Sequence, residues 1–526
     1  MFKRLFVLGG LFLILLGCAD IPELSSPESQ PAILPQEPAL RVERFHFTPP
    51  FGWMNDPNGL VYYAGEYHLF YQYHPDGLTW GPMHWGHALS PNLLEWEHLP
   101  IALAPDDLGT IFSGSAVVDW ENTAGFGEEA LVAIFTHFKS PTQMQSLAYS
   151  TDQGRTWTKY AGNPVLKPPN GIRNFRDPKV FWFESEDGQT EHWVMALAAG
   201  SVILFYTSPD LIHWESSGGF GITEGATCGV WETPDLFELP LDDGGETRWV
   251  LTVGINNCAP AGGSGTQYFV GEFDGFDFTN ENDKKTVLWA DYGADFYAGQ
   301  SWSDTPDGRR IMLGWMNNWT YAQDIPTGGA DGKEWRGQMT VPRKLGLTQT
   351  ADGIRLTQNP IGEMALLRSE PIELGETPIP SNDVVDTGIE MVQGEIIAEF
   401  EIDDINQANQ VGVKVRVGDG EETLIGYALK ARKVFVTRKQ SGETEFSDLF
   451  TPGASAPYNL PGNTIKFHIL IDRESIEVFV DDGRLVLTEL IFPAESSSGI
   501  ELFAEGGEGK LTSLTANRFA TAESAD

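Results

Sequence analysis

Three short segments set a carboxylate beside a proline: Trp53-Met54-Asn55-Asp56-Pro57-Asn58-Gly59, Phe175-Arg176-Asp177-Pro178 and Trp231-Glu232-Thr233-Pro234-Asp235. Proline biases the residue before it towards extended backbone, so each segment reads as an ordered strand end or turn and not as a helix. Acids held on rigid backbone in three separate places suit a reaction that needs paired carboxyls. Glycoside hydrolysis is the leading case: one carboxyl attacks or activates water while the other passes a proton to the leaving oxygen.

Such acids must be brought together by something with a long period. Ser90-Pro91-Asn92-Leu93 leads to Trp96, Ser150-Thr151-Asp152-Gln153-Gly154 to Trp157, and Ser208-Pro209-Asp210-Leu211 to Trp214. The starts are 60 and 58 residues apart (150−90 and 208−150). Each follows a strand-like apolar run, which is the texture of β-propeller blades. The acids keep the same period: Asp56, Asp177 and Glu232 are separated by 121 and 55 residues (177−56 and 232−177), about two blades and one. They are expected at one strand position in three blades. Phe112-Ser113-Gly114-Ser115 falls at that phase in a second blade and Asp295 in a fifth. The spacing thus predicts an all-β chain: a five-bladed propeller over 42–347, with equivalent positions facing one another across the central axis. A linker over 348–375 and a C-terminal β-sandwich over 376–520 follow, the latter from short alternating strands such as Ile476-Glu477-Val478-Phe479-Val480.

Composition narrows the partner. The 526 residues carry 74 acidic against 34 basic side chains, a net charge of −40, which repels a phosphate backbone and excludes nucleic acid. A neutral polysaccharide is compatible with it, and so is a saline habitat in which salt screens the self-repulsion. Lys3 and Arg4 precede an apolar run from Leu5 to Leu16, too short to span a bilayer, so 1–17 reads as an export signal. Leu15-Leu16-Gly17-Cys18 resembles a bacterial lipobox, which makes Cys18 a candidate for lipidation. Residues 18–41, rich in Pro, Ser and Glu, would be a flexible tether. The reading is an exported chain that meets a membrane only through that lipid. Cys228 and Cys258 leave two alternatives open, one disulfide or two free thiols. His84 and His87 sit in an H-x-x-H spacing, but on an extended strand they face opposite ways, so no metal site is expected. Gly262, Gly263 and Gly265 read as a blade loop.

The three motifs, in this order and spacing, resemble glycoside hydrolase family 32, the invertases, inulinases and levanases. The likeness extends through Phe70-Tyr71-Gln72-Tyr73-His74-Pro75, Gly314-Trp315-Met316-Asn317-Asn318-Trp319 and Trp335-Arg336-Gly337, and into the sandwich at Ile471-Asp472-Arg473. The stretch Ala259 to Gly271 is closer to the levanase and inulinase branch than to plant invertases. The resemblance implies retaining hydrolysis of β-fructofuranosides, with Asp56 as nucleophile, Glu232 as general acid/base and Asp177 as transition-state stabiliser. It further implies a fructose pocket lined by Asn55, Gln72, Trp80, Phe112, Ser113, Arg176 and Trp319, and no cofactor. One departure stands out. The family usually has Cys after the acid/base Glu, and this chain has Thr233, which is expected to hydrogen-bond near Glu232 and tune it.

On that reading Asp56 attacks the anomeric carbon of a terminal fructosyl unit, and Glu232 first protonates the leaving oxygen, then deprotonates water. Burial and acidic neighbours should raise the pKa of Glu232, and backbone N–H groups of the Asn-Asp-Pro-Asn-Gly turn should keep Asp56 ionised. The substrates expected are fructan (levan or inulin) and sucrose, by exo action. The alternatives are a fructosyltransferase with the same intermediate and a non-catalytic fructan-binding surface lipoprotein, which would have no reason to keep both Asp56 and Glu232. Oligomeric state is not legible.

Overall fold

The computed structural model describes residues 45–519 apart from 330–331, 403–408 and 451, together with the backbone but not the side chain of Asp243. The expected signal, tether and Cys18 lie outside the described residues. Within them the chain is built from strands, with two short 3-10 turns at Asp242–Gly244 and Gly362–Leu367.

Five antiparallel sheets follow one another. The first holds β1 (Gly52–Tyr63), β2 (Glu66–His74), β3 (His84–Ser90) and β4 (Glu97–Leu103); the second β5 (Thr110–Asp119), β6 (Ala130–Lys139), β7 (Thr142–Ser150) and β8 (Thr158–Lys159). The third holds β9 (Phe175–Glu184), β10 (Glu191–Ala199), β11 (Ile203–Ser208) and β12 (Glu215–Phe220). The fourth is β13 (Trp231–Pro240), β14 (Thr247–Ile255), β15 (Gly265–Phe273) and β16 (Phe278–Asn280), with β17 (Leu288–Trp289) also paired to β15. The fifth contains β18 (Tyr297–Ser301) and β19 (Ile311–Trp315). Next in the chain, β20 (Trp335–Arg336) returns to the first sheet and pairs parallel to β1. Then β21 (Arg343–Thr350) and β22 (Gly353–Pro360) complete the fifth sheet. These are the five blades of a propeller, with β1, β5, β9, β13 and β18 innermost.

The repeated Ser-to-Trp segments are the turns between the third and fourth strands of the first three blades. In each, the serine Oγ accepts the backbone N–H two residues on, at Asn92, Asp152 and Asp210 (3.2, 3.4 and 3.1 Å). The next residue takes a left-handed conformation: Leu93, Gln153 and Leu211 have φ of 66°, 58° and 63°. In the second and third, the indole N–H of Trp157 and Trp214 closes the turn onto the carbonyl three residues back. Local side-chain-to-backbone bonding of this kind favours turns over continued strand, which is why the period was visible.

Half of the expected linker at 348–375 is strand. Arg343–Thr350 and Gly353–Pro360 form a continuous hairpin, with Leu347 opposite Leu356 and Thr350 opposite Gly353. It reads as a loop because it is an outer, half-wet hairpin whose outward residues are polar. Residues Ile372–Leu374 then already pair with the last sandwich strand, Gly509–Arg518. The sandwich comprises sheets of seven and six strands. Their facing sides bury Ile396, Val413, Ile425, Phe467, Val478 and Leu502, each worth about 1.5–3 kcal/mol of transfer from water.

Propeller and sandwich meet across buried charge. Arg343 bonds Glu477 Oε2 (2.5 Å) and Asp291 Oδ2 (2.9 Å), and His46 bridges Asp472 and Glu477, 2.9 Å from each. A second cluster joins Arg438 of the sandwich to Asp295 (2.5 Å), with Glu489 2.8 Å away, and Tyr321 Oη donates to Asp295 Oδ1 at 2.7 Å.

Candidate active site

Every innermost strand carries a bulge at the same height. Between Met54 and Pro57, β1 takes three steps while β2 takes two, from Tyr73 to Tyr71. The same happens at Ile111–Gly114 of β5, Arg176–Lys179 of β9, Glu232–Asp235 of β13 and Tyr297–Gln300 of β18. An extra residue breaks the strict in–out alternation, so neighbouring side chains can share one face. The second residue of the bulge is left-handed in three blades: Asp177, Thr233 and Ala298 have φ of 63°, 46° and 54°. Asp177 and Thr233 precede proline, so the bulge overrides the extended bias expected there.

The bulges correct the phase expected from sequence. Glu232 is the first bulge residue of its blade, Asp177 the second and Asp56 the third. The three acids thus occupy successive positions rather than one. Their separations of 121 and 55 are each one short of the true repeat, which runs 122 and 56 from Met54 through Arg176 to Glu232 (176−54 and 232−176). The same slip misplaces the fifth blade. Asp295 lies two residues before the bulge, fully buried, and bonds Arg438, Tyr321 and the backbone N–H of Leu490. The residue that faces the axis is Tyr297.

The bulges surround a cavity of about 280 Å³. All ten expected site residues line it: Asp56, Asp177 and Glu232 with Asn55, Gln72, Trp80, Phe112, Ser113, Arg176 and Trp319. Tyr297 and Gln323 line it as well. Tyr297 carried a signal, the fifth-blade period, that pointed two residues too early; Gln323 sits on a loop with no signal.

Asp56 is 8% exposed. Its Oδ2 accepts from Ser113 Oγ (2.6 Å) and its Oδ1 from Asn55 Nδ2 (3.0 Å), while Asn55 is itself fixed by the Trp53 indole N–H (2.8 Å). The segment is bulged strand, not a turn, and the main donors to Asp56 are these two side chains and not the expected row of backbone N–H groups. Burial raises its pKa, opposed by Ser113 and Asn55.

Glu232 is held from both sides. Arg176 Nη2 donates to Oε1 (2.6 Å) and Tyr297 Oη to Oε2 (2.5 Å). Arg176 is in turn steadied by Gln143 (3.3 Å) and Asn174 (3.1 Å). Burial pushes the Tyr297 phenol well above its usual range, with Glu232 adding to the shift, so it stays a donor. Asp177 lies 3.8 Å from Arg176 Nε and accepts the backbone N–H of Thr233 at 3.0 Å. Burial pushes its carboxyl up to about 7; Arg176 opposes this, and Asp56 and Glu232 reinforce it.

Thr233 serves through its backbone. Its Oγ1 has no hydrogen-bond partner among the described residues, and the close approach of the β14 backbone at Gly254 leaves no room for a Cβ there: one would sit 2.7 Å from that oxygen. The expected bond towards Glu232 is not made. Beneath the acids the axis is filled by Lys179, which reaches Asp235 Oδ1 (3.0 Å) and the Ser301 carbonyl (2.9 Å).

Aromatic rings form the mouth. Trp80, 41% exposed, stands edge-on to Phe112 with centroids 5.7 Å apart. Trp319 leans on Trp315 and Trp53 (4.8 and 6.2 Å). The Trp319 loop is gripped by the loop after β14: Ser264 Oγ accepts the Trp319 N–H (3.1 Å), and Asn318 Nδ2 donates to the Gly262 carbonyl (3.0 Å). Gly263 is required there, because at φ 67° a Cβ would lie 2.1 Å from Asn318 Oδ1. Cys258 of this loop is disulfide-bonded to Cys228, four residues before Glu232, which decides between the two alternatives left by the sequence. His87 is buried against Phe70 and His68, while His84 bonds the Pro82 carbonyl, so the two do not converge.

Residues 46–360 match the model of the glycosyl hydrolases family 32 N-terminal domain, and 364–518 that of the glycosyl hydrolases family 32 C terminal. The chain is 51% identical over 480 residues to a levanase of Bacillus subtilis (strain 168), covering 90% of this chain and 69% of that protein. It is 37% identical over 503 residues to an extracellular exo-inulinase of Aspergillus awamori, covering 88% and 92%. A crystal structure of exo-inulinase from Aspergillus awamori superposes with a TM-score of 0.83 at 35% identity, covering 91% of this chain and 98% of that one.

Proposed function

We propose, for a chain that belongs to the glycosyl hydrolases of family 32, an exo-acting β-fructofuranosidase that releases fructose from the ends of levan and inulin and from sucrose. The observation that carries this reading is the 280 Å³ cavity in which Asp56 and Glu232 stand on bulges of different blades. A cavity that small, ringed by Trp80, Phe112 and Trp319 and filled beneath by Lys179 and Asp235, suits one terminal sugar unit better than the middle of a chain. The relatives named levanase and exo-inulinase support the substrate class.

Asp56 is the nucleophile. Its carboxylate attacks the anomeric carbon of the terminal fructosyl unit and forms a covalent ester. Ser113 and Asn55 orient it and hold its negative charge. Glu232 protonates the departing glycosidic oxygen, then takes a proton from the water that cleaves the ester. Arg176 and Tyr297 fix the direction of that carboxyl. Asp177 binds fructose hydroxyls; as they displace water, hydrogen bonds that tighten as charge develops on the ring stabilise the transition state. Asn55, Gln72 and Trp319 complete the hydroxyl and ring contacts, and no cofactor enters any step. Export belongs to the same reading, with Cys18 lipidated after removal of 1–17 and 18–41 as tether. Loss of fatty-acid labelling in Cys18→Ser would bear that out, and equal labelling would sink it.

The test of the activity is incubation of the purified chain from residue 19 with sucrose, inulin and levan, products being separated by chromatography. Free fructose from all three, lowered at least about 10⁴-fold in Asp56→Asn, is the expected result, since removing a nucleophile leaves little beyond binding. Oligosaccharides without fructose would replace exo by endo action, and chain lengthening would replace hydrolysis by transfer.

A further inference from the structure

The innermost strands that carry the acids at one end line a second cavity at the other, of about 530 Å³. Strand β9 runs from Asp177 to Trp182, β13 from Glu232 to Glu238, and the segment beginning with β18 from Tyr297 to Asp304. Five residues of extended chain separate Asp177 from Trp182, about 16 Å. The two cavities therefore open on opposite faces of the propeller, with the Lys179–Asp235 pair between them.

Two features of the second cavity require explanation. Its rim exposes large indoles, Trp120 at 51% and Trp182 at 39%; the one other tryptophan exposed to this degree among the described residues is Trp80, at the mouth of the first cavity. Both are braced: Trp120 donates to Asp304 Oδ1 (3.3 Å) and leans on Tyr63 (5.8 Å), and Trp182 stands edge-on to Trp193 (5.1 Å). The interior is polar as well. The Arg310 guanidinium lies 5.2 Å over Phe237 and donates to the Trp302 carbonyl at 3.1 Å. Lys179 pairs with Asp235, Arg310 has Asp235 and Asp304 as its charged neighbours, and Glu121 and Glu238 add two exposed carboxylates to the lining, so the surroundings carry no surplus positive charge and disfavour an anion. Fixed aromatic faces beside donors and acceptors of both signs match a neutral polyhydroxylated ring, whose C–H face packs on indole while its hydroxyls bond at the sides.

We propose that this cavity is a second, non-catalytic binding site for a neutral saccharide chain. That the chain is a fructan rests on the function proposed above. A polymer held there keeps other ends of the same material at high local concentration near the catalytic cavity.

The test is electrophoresis of the Asp56→Asn chain through native gels containing levan, inulin or dextran, with Trp120→Ala and Trp182→Ala each added. Both fructans should retard the parent, and either indole variant should lose at least half of that retardation. In the otherwise native chain the same variants should keep kcat/KM for sucrose within twofold, which certifies the fold, while KM for the polymer rises several-fold. Unchanged retardation in both variants would overturn the site. Retardation by dextran and by neither fructan would overturn the fructan assignment. Failure of the native chain to cleave sucrose would strike the proposed function instead, and the retardation comparison would still decide the second site.

Discussion

Tyr297 Oη and Glu232 Oε2 are joined by a 2.5 Å hydrogen bond between neighbouring blades, on the oxygen that Arg176 leaves free. The carboxyl is thereby clamped at both ends. A hydrogen bond to a charged partner contributes about 1.5–3 kcal/mol. Tyr297→Phe is expected to lower kcat/KM for sucrose roughly 10- to 100-fold, with the melting temperature nearly unchanged. An unaltered kcat/KM would show that Arg176 alone positions the carboxyl.

Asp177 supplies a pH signature of stability. Its folded-state pKa is raised from 3.8 to about 7, mainly by burial. A raised acid binds its proton more tightly when folded, so this group's contribution to stability declines as pH rises from about 4 to 7 and is level above that. Asp177→Asn removes the titration. The melting-temperature gain of the variant over the parent should therefore grow across that window and stay constant from pH 7 to 8.5. A gain that shrinks with rising pH would contradict the sign.

Among the described residues, Arg438 is the cation in contact with both Asp295 and Glu489. Burial pushes Glu489 up to about 8, Arg438 opposing and Asp295 reinforcing the shift. Removing the guanidinium leaves the carboxyl groups of Asp295 and Glu489 buried without their cation, and Arg438→Met should destabilise by about 3–5 kcal/mol in urea unfolding. Adding Asp295→Asn should recover part of that loss. Equal destabilisation in single and double variants would mean that Arg438 acts by packing.

The Cys228–Cys258 bond closes a separation of 30 residues and ties the approach to Glu232 to the loop that grips Trp319. Replacing both cysteines by serine should lower stability by about 3 kcal/mol. It should also raise KM for sucrose more than it lowers kcat, because the mouth loosens while the acids stay on their bulges. Parallel kinetics on parent and variant check this.

Much of this was readable from residues. The Ser-to-Trp turns are local, bonded within a few residues, and their chemistry shows directly in sequence. The three acids were found for the same reason, each in a short motif. What escaped was set by tertiary structure. The bulge slips the phase by one residue between Asp56 and Asp177 and by one more to Glu232, so a strict period led to Asp295 where Tyr297 belongs. The hairpin ending at Pro360 was missed because an outer blade edge has the polar texture of a loop. Gln323 was invisible because nothing local requires it, and the role of Thr233 lies in its backbone, which residue identity does not report.

The pairing of Trp335–Arg336 beside Gly52–Trp53, reinforced by the Gly52 N–H to Glu334 carbonyl bond of 2.8 Å, closes the ring with chain made long after the first blade. During synthesis the first four blades emerge with no circle to belong to, and the groups that meet around Asp56 come from positions 55 to 323. A chain interrupted anywhere before that clasp lacks this contact, and is expected to be inactive rather than a weaker catalyst. Contacts of such long sequence separation form slowly. Nascent copies thus stay inert until almost two-thirds of the sequence has been made.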